Sequence, residues 1–250
     1  MIDLVTVVPT RDRPQTAHEL VEAFTATCTA DTLLAIVVDD SDPSGARYAE
    51  PLGLEVVSAV HAPAGAWDAF RERTYGVFST PSRTMVEALN LAATAMLEHV
   101  NPFAIGFMGD DHRPRTPGWD RRYVDELRDL GSGIVYGDDL LQGQKLPTQA
   151  AMSADIVREL GYMAPPKLVH LYVDNFWRDL GTRAGCLRYV PDAVVEHLHP
   201  LAGKGNVDEG YRRVNAPAVY NADEVTYKAY QAEHFAADVE RVRALREVRV

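Results

Sequence analysis

Four short apolar runs without polar alternation constrain this chain more than any other feature. They cover residues 4–8 (LVTVV), 33–38 (LLAIVV), 54–60 (LEVVSAV) and 103–108 (FAIGFM). A strand wetted on one face alternates apolar and polar residues, whereas continuous runs fit strands covered on both faces. Between the first two runs, Ala17, Leu20, Val21 and Phe24 recur at helical spacing over residues 16–27. Thr80-Pro81 offers a capping hydroxyl with proline in the first turn, predicting a helix from there to about residue 99. Met85, Leu89, Ala92, Ala93 and Met96 mark its apolar face. Strands alternating with helices in this way predict an α/β fold with a mostly parallel sheet flanked by helices.

The second half is less regular. Helices are expected over residues 119–130, 154–160 and 174–180, with short strands over 133–136, 186–190 and 193–197. A glycine-containing loop follows at 202–206, then a charged helical tail from about 222 to 246. No internal repeat or linker is visible, and 250 residues suffice for one large α/β domain. We expect one domain in three parts: 1–112, an irregular 113–221, and a C-terminal helix over 222–250.

Composition excludes some classes. A formal net charge of -11 disfavours duplex nucleic acid as a partner, because phosphate attraction needs a basic face. Cys28 and Cys186 have no metal-ligand spacing and read as reduced core residues, which points to the cytoplasm. No signal peptide is visible at the start of the sequence, and no apolar run approaches membrane-spanning length. Residues 131–137 fail as a dinucleotide fingerprint, since Tyr136 stands where the third glycine belongs. Gly203-Lys204-Gly205 lacks the other parts of a phosphate loop.

The chemistry concentrates where apolar runs end. The run 103–108 stops at Gly109-Asp110-Asp111-His112. Ligands of open α/β sheets sit beyond the carboxyl ends of such strands. Adjacent acids there repel unless a cation offsets them, and a divalent metal carrying a phosphate does so. Pro9-Thr10-Arg11-Asp12-Arg13-Pro14 follows the first run, where two arginines suit a phosphate or a base edge. Asp39-Asp40 ends the second run, where a carboxylate can accept from a ribose hydroxyl or a base imino group. Arg83 and Asn90 fall on the helix before the acidic motif, Arg83 in its first, anion-favouring turn. Each feature alone also reads as an ordinary solvated turn or surface residue.

In this order, the segments VVPTRDRP, VVDDSD, the helix with Arg83 and Asn90, and FMGDDHRPRTPGWD make residues 1–200 resemble a family 2-type inverting glycosyltransferase of the GT-A fold. The resemblance implies a Rossmann-like sheet, an irregular acceptor-side half, a nucleotide-sugar donor, Mn2+ or Mg2+, and inversion at the anomeric carbon. It implies that Thr10, Arg11 and Arg13 help to hold the nucleotide and that Asp39 contacts base or ribose. Gly109-Asp110-Asp111 corresponds to the family's Asp-x-Asp motif with glycine in place of the first acid; the resemblance implies Asp111 as the metal ligand, with Asp110 beside the donor and His112 a neighbour or, as the alternative, a further ligand. In the segment His170–Trp177, Asp174 keeps the position of the general base, and Val173 replaces the usual glutamate. A late-strand histidine completes the metal site: His199, nearer the strand end, is favoured, with His197 as the alternative. Arg83 or Arg11 would stabilise the leaving diphosphate, and the loop with Lys204, Asp208 and Tyr211 would close over the donor. Trp119, Tyr172 and Trp177 are candidates for stacking on sugar rings. The acceptor could be a saccharide, a protein or another hydroxyl-bearing molecule.

Three alternatives remain at this level. A nucleotidyltransferase of related fold would want a glycine-rich loop after the first strand, and residues 9–14 contain no glycine. A metal hydrolase using Asp110, Asp111, His170, His197 and His199 leaves the nucleotide-type loops without a role. A catalytically inactive carbohydrate-binding protein would keep the cleft and lose turnover.

Overall fold

The computed structural model describes residues 1–205 and 207–247. In chain order it contains β1 (Leu4–Pro9), α1 (Pro14–Thr27), β2 (Thr32–Asp39), α2 (Gly45–Ala49), β3 (Val56–Ser58), α3 (Ala64–Arg71), β4 (Tyr75–Thr80), α4 (Met85–His99) and β5 (Ala104–Phe107). The second half adds β6 (His112–Pro114), α5 (Trp119–Leu130), β7 (Ile134–Asp138), β8 (Ala150–Ser153), α6 (Ala154–Leu160), α7 (Val173–Ala184), β9 (Leu187–His197), α8 (Glu209–Val214), α9 (Pro217–Glu233) and α10 (Phe235–Glu247). The strands lie in the order β3-β4-β2-β1-β5-β8-β7-β9-β6. From β3 to β5 all neighbours are parallel, and β8 and β6 pair antiparallel with theirs.

The unbroken apolar runs have the expected cause. In β2, Leu33, Ala35 and Val37 enter one core while Leu34, Ile36 and Val38 enter the other. The first core packs α3, α4, α6, α7, α9 and α10 against the sheet, and the second packs α1, α2 and α5. Both faces are dry, so period-two polarity has no place. Asp120, fully buried at the start of α5, accepts hydrogen bonds from Thr29 N, Ala30 N and the Thr32 hydroxyl, and thereby fixes the turn into β2.

Several boundaries differ from those expected. Thr80 does not cap α4: it ends β4, and Thr84 caps instead, accepting from Glu87 N at 3.1 Å. Arg83 therefore precedes the helix rather than lying in its first turn. β4 (YGVFST) escaped notice because Gly76 interrupts it; a Cβ there would stand 2.7 Å from the Phe70 ring. The third run contributes only three strand residues. β8 (AAMS) has little strand propensity and owes its form to burial between β5 and β7. The strands expected over 186–190 and 193–197 are one, β9, running through Pro191. α7 does not stop at Gly181 but runs to Ala184, with Gly185 in the left-handed region. The tail is two helices, α9 and α10, rather than one, and the loop expected to close over the donor holds α8. Asn206 of that loop and residues 248–250 of the tail lie outside the described residues.

Asp120→Ala removes the only side-chain acceptor named above for three donors. We predict a loss of about 2–4 kcal/mol in unfolding free energy, read from urea denaturation.

Candidate active site

The chain turns outward from β1 on both sides, to β2 on one and to β5 on the other, so a crevice opens at the carboxyl ends of β1 and β5. A cavity of about 750 Å³ occupies it. Thr10, Arg11 and Arg13 reach it from the loop after β1, Asp39 from the end of β2, and Arg83 from the loop after β4. Asp110 and Asp111 enter from the turn after β5, His197 from the end of β9, His199 just beyond it, and Asp174 from the first turn of α7. These ten residues thus line one space.

The two acids have unlike surroundings. Asp110 is buried and accepts from the Thr10 hydroxyl at 2.5 Å, with Arg13 Nη1 at 3.4 Å. Burial, then the charge of Asp111, pushes its pKa up to about 6 against the pull of Arg13 and Thr10. Asp111 lies 3.5 Å from His112 Nδ1 and 3.4 Å from His197 Nε2, and these imidazoles hold its carboxyl well below the usual range despite burial. The His112 and His197 rings stack at 4.3 Å, as the β6–β9 register places them opposite. Their ligating atoms and that of Asp111 all lie within 4.8 Å of one another. His199 touches the His197 ring edge-on at 4.9 Å and Tyr211 at 5.4 Å.

The backbone around this motif is built for it. Gly109 N donates to His112 Nδ1 at 3.0 Å. A Cβ on Gly109 would come within 2.6 Å of Asp111 Oδ1, which explains glycine where the resemblance expects an acid. Arg113, buried, donates to the carbonyls of Asp110 and His112, both at 2.7 Å, and to Thr16 O and Glu19 on α1. β9 delivers His197 by changing partner: it begins parallel to β7, shifts register opposite Gly137 and Asp138, and ends antiparallel to β6.

Around the first loop, Arg11 pairs with Asp39, whose other oxygen accepts Ser41 N at 2.9 Å and the Ser41 hydroxyl at 2.5 Å. The Asp39 carboxyl is held below its ordinary range; burial opposes the shift, and Arg11 and Ser41 outweigh it. The Arg13 fork closes on Asp208 at 2.8 and 2.7 Å. Asp208 also caps α8, accepting Tyr211 N at 2.6 Å, so the expected lid is a helix moored to the nucleotide-type loop. Sequence reasoning missed Tyr48, whose hydroxyl accepts Arg13 N at 2.8 Å and faces Asp42 at 3.3 Å. It also missed the buried Asp139, whose Oδ2 lies 4.0 Å from His197 Nδ1. Neither sits in a motif, and only packing reveals them.

On the opposite wall, burial pushes the Asp174 carboxyl up, against the hydrogen bond from Asn175 N at 2.9 Å. Tyr172 precedes α7 in the left-handed region at φ 65°, wedged between the rings of Tyr220 and Tyr227. Buried Asp223 of α9 accepts Val169 N, His170 N and Leu171 N at 2.8–2.9 Å. Asn90 is structural: its amide clamps the backbone of Met163 and Ala164. Trp119 is buried among Phe24 and Tyr123 and does not line the cavity; Trp177 borders it but is fully buried against Phe107, so of the three stacking candidates only Tyr172 keeps an exposed part.

No protein-family model matches the sequence, and no curated protein matches it. Solved structures do match in fold. A mannosyltransferase from Pyrobaculum calidifontis, in complex with GDP-Man and Mn2+, superposes with a TM-score of 0.58 at 14% identity, over 97% of this chain and 73% of its own. Glucosyl-3-phosphoglycerate synthase from Mycobacterium tuberculosis, in complex with Mn2+, UDP and phosphoglyceric acid, gives 0.52 at 16% identity, over 78% and 70%. TarS from S. aureus gives 0.53 at 10% identity over 77% of this chain, which spans 36% of the length of TarS. The fold is therefore that of GT-A glycosyltransferases. Among the described residues, no helix is long and apolar enough to cross a membrane.

Two outcomes test this geometry. Gly109→Ala drives Asp111 away from the imidazoles, and we predict that any divalent cation held by this cluster binds about tenfold or more weakly in the variant, measured by titration calorimetry. His170, whose pKa burial pushes down to about 4, stays neutral in the fold and takes a proton more readily when unfolded. Stability therefore falls as pH drops from about 6.5 toward 4, and denaturation midpoints of His170→Gln should fall less steeply over that window.

Proposed function

We propose that the protein is a metal-dependent inverting glycosyltransferase that moves a sugar from a nucleoside-diphosphate donor to an acceptor hydroxyl. One observation carries this reading: a single cavity brings together the loops suited to a nucleotide, an acid–imidazole cluster and a desolvated carboxylate, Asp174. The mannosyltransferase and the synthase of like fold, in complexes containing Mn2+ with GDP-Man or UDP, support it.

The residues present fit a divalent ion. Asp111 is held ionised, as a ligand must be. His197 turns Nε2 toward Asp111 at 3.4 Å, and its buried Nδ1 makes no hydrogen bond but lies 4.0 Å from the Asp139 carboxylate, close to where such a group would orient a metal-binding imidazole. Asp111 and His197 would hold the ion, with His112 stacked behind and His199 at the edge. Bound there, Mn2+ or Mg2+ would neutralise charge on the leaving diphosphate as a Lewis acid.

The other tasks fall to side chains. Asp39 and Arg11 would meet base or ribose, Thr10 and Arg13 would position the phosphates, and Arg83 would add a charge-assisted hydrogen bond to the leaving group. Asp110, hydrogen-bonded to Thr10, would sit beside the donor. Asp174 takes the proton of the acceptor hydroxyl. The acceptor oxygen bonds to the anomeric carbon from the face opposite the diphosphate. The carbon–oxygen bond to the diphosphate breaks, and its electron pair leaves with the phosphate. α8, moored through Asp208 to Arg13, would keep water out. The chain would act as one domain in the cytoplasm, consistent with its two free cysteines.

Asp174→Asn tests the reading. We predict a kcat loss of about 10²–10⁴-fold with the dissociation constant for nucleoside diphosphate unchanged. Because the Asp174 pKa is raised from 3.8, wild-type turnover should fall as pH drops through a value above that, and stay flat on the alkaline side of this limb. Equal loss of nucleotide binding in the variant would contradict the assignment.

A further inference from the structure

Arg13 is engaged before any ligand arrives. Its Nε and Nη2 donate to the two oxygens of Asp208 at 2.8 and 2.7 Å, and its Nη1 lies 3.4 Å from Asp110. Its backbone N–H donates to the Tyr48 hydroxyl at 2.8 Å, so the loop beneath the side chain is fixed. A guanidinium fork closed on two oxygens is also the geometry in which arginine takes a phosphate. Asp208 therefore fills the place on Arg13 that a donor phosphate needs.

The two carboxylates on Arg13 are not equally fixed. Asp110 is 5% exposed and also accepts from the Thr10 hydroxyl, which locks it into the floor of the cavity. The Asp208 side chain is 42% exposed and stands at the start of α8, none of whose residues is buried. Among the described residues, the pair with Arg13 is the one hydrogen-bonded link between residues 208–214 and the first 205. Burial works against ionisation of Asp208, yet Arg13 and Tyr211 N hold its carboxyl below the ordinary range. It stands on the fork as an anion. A partly exposed carboxylate pair is weakly held, and a diphosphate brings more charge to the same donors.

We propose that Asp208 is a built-in competitor of the donor: its carboxylate occupies the Arg13 fork in the empty protein, and the diphosphate takes the fork from it. The proposal rests on the glycosyltransferase reading and goes beyond it by naming a regulation of that site. Arg13 turns on its own side-chain torsions, while Asp208 keeps Tyr211 N and continues to cap α8. Tyr211, edge-on to His199 at 5.4 Å, holds α8 over the cavity meanwhile. A competitor on the same chain acts at high effective concentration, so it weakens the donor and the product diphosphate alike. Its return to Arg13 favours departure of the product nucleotide.

The test is titration calorimetry of UDP and GDP with Mn2+ into the full chain. Asp208→Asn removes the charge and keeps a good helix cap, and thermal unfolding of each variant shows that it is folded. We expect the nucleotide that the wild type binds to bind Asp208→Asn about three- to tenfold more tightly. Made in Arg13→Gln, the same substitution should give no gain, because the fork over which the two anions compete is gone. Unchanged or weaker binding in Asp208→Asn, or a gain that persists without Arg13, would overturn the proposal. Failure of UDP and GDP to bind the wild type and the variants alike would instead overturn the glycosyltransferase reading.

Discussion

Two neighbouring carboxylates at the end of β5 govern the rest of this structure. Side by side and largely dry, Asp110 and Asp111 would repel each other unless each had its own cationic or hydrogen-bonded support. The fold gives them different ones. Thr10 and Arg13 attend Asp110, while His112 and His197 attend Asp111. The outcome is two acids with pKa values pushed in opposite directions, one up and one down. Divergent environments of this kind are what an active site uses to give like residues different tasks.

Much of the remaining architecture follows from holding that turn. Arg113 is buried in order to grip its carbonyls and tie it to α1. Gly109 has no side chain because Asp111 needs the space. β9 leaves β7 for β6 so that an imidazole arrives opposite His112. On its far face Glu196 joins Arg115 and Lys204, both at 2.7 Å, which pins the strand end and the loop after it. Across the cavity, Asp223 plays the corresponding part for the wall: one carboxylate from α9 gathers three backbone donors and sets the loop that leads into α7.

The parallel half of the fold, β4 excepted, was legible because its signals are local. Runs buried on both faces, helical spacing and acids at strand ends are all read within a dozen residues, and the α5 and α6 bounds expected from them match those found. What was not legible depended on distant packing. β8 is made of alanine, methionine and serine and becomes a strand only between β5 and β7. Thr80-Pro81 carries a good capping signature, yet pairing of Asp39 with Thr80 extends β4 through it, and the cap moves to Thr84. Two residues apart, His197 and His199 would share a face of a strand that held both, so periodicity could not choose between them; β9 in fact ends at His197. The β6–β9 register sets His197 against Asp111, while His199, favoured from its place in the chain, lies beside it. Tyr48 and Asp223 act through the backbone of other segments, Asp139 holds the turn that follows it, and none of the three leaves a mark in any motif.

The central proposal is that Asp111 and His197 share one divalent ion in the cavity at the ends of β1 and β5. Pulsed electron paramagnetic resonance of Mn2+ bound to the protein with UDP or GDP tests it most directly. The account predicts nitrogen modulation from a coordinated imidazole, retained in His199→Ala and lost in His197→Ala. Bound Mn2+ without nitrogen coupling, or coupling that survives the loss of His197, would contradict it.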